Sequence, residues 1–112
     1  MNFERTTPFE LASGVLGRPL FGTGAMINLI EFGPGAVVPV HSHPHEQLGL
    51  VLRGVQILEI GGIDYPLGPM EGYVLPGGLE HGARCGPEGA TVIDVFQPVR
   101  EDYRKLVEEA SA

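Results

Sequence analysis

The stretch His41-Ser42-His43-Pro44-His45-Glu46-Gln47 holds three of the chain's 4 histidines, and its reading decides the fold. In an extended segment residues i and i+2 point to the same face, so His41 and His43 present two imidazoles to one point. Gln47 keeps the parity of His43 if the strand continues. Glu46 has the opposite parity and points away unless a bulge intervenes, so Gln47 is expected as the third ligand. His81 lies just after the Pro76-Gly77-Gly78 turn and can close the set. His45, between Pro44 and Glu46, is expected to face solvent or at most to support the ligands from behind. Three imidazoles and one amide are all neutral and leave a divalent cation its full charge, with positions open for water or substrate oxygens. One divalent transition metal ion is expected, and Zn, Ni, Fe and Mn all suit such donors.

Outward from this cluster the chain reads as short strands. Met26 to Phe32 mixes β-branched and aromatic residues and stops at Gly33-Pro34-Gly35, after which Val37 to Val40 begins the next run. Gln47 to Leu52 closes at Arg53-Gly54. Val55 to Ile60 alternates and meets Gly61-Gly62 before Ile63-Asp64-Tyr65, the pattern of a tight hairpin. Tyr73 to Leu75, His81 to Arg84 and Ala90 to Phe96 follow, and strands at this spacing form an antiparallel sandwich or barrel. The C-terminal stretch differs, because Val99, Tyr103, Leu106, Val107 and Ala110 fall on one helical stripe, as expected of a docked terminal helix.

The chain has 112 residues, enough for a single domain over residues 1–112 with one core. With 17 Gly and 10 Pro, helix breakers are too frequent for a helical bundle. The net charge is -7 with Lys105 as the sole lysine, and no basic cluster exists to bind nucleic acid or an anionic membrane. The expected partner is a small-molecule substrate. Cys85 is alone, so no internal disulfide can form, and it reads as a small buried hydrophobe. Met1 to Glu10 lacks the apolar stretch of a secretion signal, and the expected location is cytoplasmic.

Beyond the ligands, Asp94 is a carboxylate in an otherwise apolar strand, on the same face as Val92 and Phe96. Buried unpaired it would be costly, so it is either a proton donor or acceptor near the cation or a hydrogen-bonded structural group. Phe96 would wall the pocket. Arg100 follows Pro98, and its planar fork suits a substrate carboxylate, an ion pair with Glu101 or Asp102 being the alternative. Tyr73 can reach inward from its strand, in a structural or a site role.

Gly35, His41-x-His43, Gln47 and Gly54, followed by Pro76-x-Gly78-x-x-His81, resemble the two motifs of the cupins, with Gln in the place usually held by Glu. Met70 stands where the second motif's first Gly belongs, and Cys85 where an Asn is often found. The resemblance implies an all-β double-stranded β-helix, a jelly-roll barrel with the metal inside, and a homodimer. HSHPHEQ, YVLPGGLEH and DVFQPVREDY further resemble the small KdgF-type cupins of pectin and alginate degradation, which convert a 4,5-unsaturated uronate into its linear ketonised form. That resemblance implies metal ligation by His41, His43, Gln47 and His81, and catalytic roles for Asp94, Phe96 and Arg100. A metal-dependent isomerase is therefore expected. A quercetinase-type dioxygenase and a non-catalytic ligand-binding cupin are the alternatives.

Overall fold

The computed structural model describes residues 2–111. After a short 3-10 turn at Phe3–Arg5 come β1 (Phe9–Ala12), β2 (Val15–Phe21), β3 (Met26–Phe32), β4 (Val37–His41), β5 (Glu46–Ile60), β6 (Ile63–Leu67), β7 (Gly72–Leu75) and β8 (His81–Gln97). Helix α1 (Glu101–Ser111) closes the order. All pairings are antiparallel, in the order β1-β2-β3-β8-β5-β6, with β4 also on β8 and β7 also on β5.

Two long strands make this all-β jelly-roll barrel. Gln47–Leu52 and Val55–Ile60, expected as separate strands, are one strand, β5, and His81–Arg84 and Ala90–Phe96 are likewise joined in β8. The expected breaks are register shifts between Val51 and Arg53 and between Gly54 and Gln56, where β5 bends without losing its partner. Gly61 and Gly62 do turn the next hairpin, with φ of 59° and 77°, the left-handed pair such a turn requires. Strands β1 and β2 were not anticipated, because Gly14, Gly17 and Pro19 interrupt their pattern. The helix starts at Glu101, and Val99, counted in its stripe, is buried just before it. Within α1 only Tyr103 is buried, so the helix docks through its first turn.

Register stacks the inward residues of β5, β8 and β3 in four rows. From the open end these are Gln47–Phe96–Met26, Gly49–Asp94–Asn28, Val51–Val92–Ile30 and Gly54–Ala90–Phe32. The last two rows, with Val15 and Cys85, form a closed apolar core. Cys85 is a buried core residue, and its thiol donates to the Gly33 carbonyl at 2.9 Å.

Candidate metal centre

The open end is polar because β4, β5 and β8 deliver their histidines and Gln47 there. His41 ends β4 and is in register with His81, the first residue of β8. His43 lies in the turn before β5. His41, His43 and His81 each offer a ligand atom, all within 4.8 Å of one another, and together they could hold a metal ion.

The ring orientations are fixed by backbone carbonyls. His41 Nδ1 faces Pro39 O at 2.8 Å, His43 Nδ1 faces His45 O at 3.1 Å and His81 Nδ1 faces Leu79 O at 2.9 Å. A carbonyl only accepts, so each Nδ1 carries the proton and each Nε2 keeps its lone pair. Burial, with the nearby Arg100 charge as a second cause, lowers the His43 pKa to about 4; burial also lowers that of His81. Both rings are therefore neutral at pH 7, the state that ligates.

Two observations test whether a cation fits. His81 Nε2 is buried with no hydrogen-bond partner. Gln47 Oε1 stands 3.0 Å from His43 Nε2; an amide oxygen and an unprotonated ring nitrogen both only accept, so two acceptors face each other. A bound cation resolves both. Parity read Gln47 correctly as inward, since it is buried while Glu46 is exposed. His45 takes the supporting place and not the solvent-facing one: it is half-buried, its ring 5.5 Å from that of His43, and its carbonyl orients that ring.

Asp94, Phe96 and Arg100 line the same cavity as His41, Gln47 and His81. Asp94 is 5% exposed; desolvation raises its pKa to about 6, against the opposing hydrogen bonds of Tyr73 and Gln47. Tyr73 O–H donates to Asp94 Oδ1 at 2.6 Å. Its ring reaches across Gly49, where any Cβ would overlap it. Arg100 makes the ion pair that was the alternative reading, donating through Nε and Nη2 to Asp102 at 3.2 and 2.7 Å. Its Nη1 donates to the Tyr103 hydroxyl oxygen at 2.8 Å, leaving one N–H on each of Nη1 and Nη2. Phe96 meets the His43 ring edge-on at 5.6 Å and lies 5.1 Å from the guanidinium carbon.

Sequence reasoning missed Gln56, Tyr103 and Leu11 in the cavity wall. Gln56 is a polar residue in the alternating run from Val55 to Ile60, a visible signal, but the register shifts before it scramble the parity count.

Residues 28–96 match the Cupin_2 cupin-domain family. An RmlC-like cupin from Shewanella frigidimarina is 32% identical with a TM-score of 0.84, covering 92% of this chain and 93% of that one. KdgF from Halomonas sp. is 30% identical with a TM-score of 0.82, covering 92% and 94%. The dimethylsulfoniopropionate lyase DddW of Ruegeria pomeroyi is 34% identical over 64 residues, 57% of this chain, and the chain spans only 42% of that relative's length. The family match covers more than half of the chain, and the overlay on KdgF runs along nearly all of it; the protein belongs to the cupin family and resembles KdgF.

Proposed function

We propose that this cupin is a metal-dependent enzyme that opens and ketonises a 4,5-unsaturated uronate. The observation that carries the reading is Asp94, a buried carboxylate whose pKa of about 6 suits proton exchange near neutrality. It lines one cavity with His41, Gln47, His81 and Arg100.

The inner cavity is small, about 40 Å³, and shares Leu11, Val38, His41, Arg100 and Tyr103 with an outer basin of about 350 Å³. The substrate enters across that shared wall. The free edge of the Arg100 fork, one N–H on each terminal nitrogen, receives the uronate carboxylate. His41, His43, Gln47 and His81 would hold a cation, which would supply Lewis-acid polarisation of a substrate oxygen. Asp94 takes the proton of the anomeric hydroxyl as the ring C–O bond opens. It then returns a proton to the enol carbon, so the reaction balances as an isomerisation. Tyr73 holds Asp94 Oδ1, leaving the other carboxylate oxygen for this exchange. Phe96 covers the His43 ring and limits water access.

The test combines elemental analysis of the purified protein with the ultraviolet absorbance of an added unsaturated uronate. Conjugated absorbance should fall faster than its spontaneous decay. Asp94→Asn should slow turnover about 10²- to 10⁴-fold with fold and metal content retained; unchanged activity rejects the proton-transfer role. The match to DddW favours a second reading, elimination from dimethylsulfoniopropionate, and release of dimethyl sulfide without uronate turnover would replace the first by the second.

A further inference from the structure

Gln56 on β5 is 2% exposed and lines the inner cavity with Asp94 and His81. Its orientation follows from its neighbour. The one proton of the Tyr73 hydroxyl goes to Asp94 Oδ1 at 2.6 Å, so toward Gln56 the phenolic oxygen can only accept. Gln56 Nε2 supplies that bond at 3.2 Å. Oε1 is therefore the atom left over, and it is buried with no hydrogen-bond partner.

A buried acceptor held in place on a residue of the cavity wall and lacking a donor is a subsite for a donor on the ligand. We infer that Gln56 Oε1 accepts a hydrogen bond from a substrate hydroxyl, which restricts the cavity to hydroxylated acids. The inference rests on the sugar-acid reading above and sharpens it. A uronate carries ring hydroxyls, whereas dimethylsulfoniopropionate and simple fatty acids offer Oε1 no donor. Sites that hydrogen-bond a substrate hydroxyl reject analogues lacking it, because the protein group is then left unpaired. Asp94 and Gln56 thus divide the work across Tyr73, one exchanging the proton and the other selecting the molecule that carries it.

The experiment is a calorimetric titration of purified full-length protein with galacturonate and with cyclohexanecarboxylate, two six-membered-ring carboxylates that differ in their hydroxyls and neither of which carries the reactive double bond. Wild type should bind galacturonate at least about 10-fold more tightly. Gln56→Met removes the acceptor at similar length and should bring the two affinities within about 3-fold of each other. Should Gln56→Met fail to fold, Gln56→Asn withdraws the oxygen by one methylene and should show the same loss. A preference unchanged by either variant overturns the inference, as does equal or undetectable binding of both acids by wild type, the outcome expected if trapped water satisfies Oε1. Failure of the isomerase reading looks different: unsaturated uronate is not consumed, while the galacturonate preference and its dependence on Gln56 persist.

Discussion

The two ends of the barrel are made from the same three strands by the same alternation, yet they hold opposite chemistry. Toward the closed end the rows Val51–Val92–Ile30 and Gly54–Ala90–Phe32 are apolar throughout. Toward the open end the rows Gln47–Phe96–Met26 and Gly49–Asp94–Asn28 bury an amide, a carboxylate and a second amide. Period-two patterning places a side chain inside the barrel whatever its polarity. The closed rows gain hydrophobic free energy on folding, while the open rows bury groups that lose water and regain only part of it in hydrogen bonds. The closed end holds the fold, and the open end carries the candidate site.

The sharpest way to break this division is at its two poles. Phe32→Ala, in the closed core, should destabilise the protein by about 3–5 kcal/mol in denaturant unfolding, with metal content per folded molecule unchanged; because Phe32 also borders the inner cavity, metal content and not turnover is the readout. His43→Ala, at the open end, should do the reverse. Metal stoichiometry should fall and turnover with it, about 10²- to 10³-fold, while the metal-free protein loses less stability than Phe32→Ala does. If Phe32→Ala abolishes metal binding in the folded fraction, the two ends are coupled and the comparison fails.

A subtler probe lies inside the open end. Asn28 is fully buried directly opposite Asp94, and neither its Nδ2 nor its Oδ1 has a hydrogen-bond partner. Replacing an unsatisfied buried amide by an apolar side chain of similar volume should stabilise, so Asn28→Leu should raise the unfolding free energy by about 1–2 kcal/mol. Thermal unfolding measures this, and a lowered midpoint would mean that Asn28 has a partner, such as a trapped water, that the side-chain contacts do not include.

The clustered histidines were legible because His41 and His43 sit two residues apart, a spacing that lets their rings converge although His43 lies beyond the end of β4. Asp94 was legible for a similar local reason, a charge in an apolar strand. What could not be read was the cross-strand register. Tyr73 reaches Asp94 only because Gly49 lies between them in the register of β7, β5 and β8, and no periodicity within one strand contains that row. Gln56 was hidden behind two register shifts. Strands β1 and β2 were lost to their glycines and proline, although β2 pairs β3 along its whole length. Long-range pairing overrides weak local propensity there.

The smallest expected effect concerns one of the positions where the sequence departs from its family's motif. Met70 occupies the place of a glycine, and its backbone has φ of 71°, the left-handed region that disfavours side chains. Its side chain is 77% exposed, so little packing offsets the strain. The backbone is held there by bonds that a side chain does not influence, Met70 N–H to Val51 O at 2.8 Å and Glu71 N–H to Gly68 O at 3.1 Å. Met70→Gly removes the Cβ clash but adds freedom to the unfolded chain, and the two effects partly cancel. The net should be a stabilisation of about 0.5–1 kcal/mol, seen as a small rise in the thermal midpoint with turnover unaltered. The turn lies on the far side of β5 from the histidines, so a change in metal affinity on Met70→Gly would show that strain in this turn is felt at the open end.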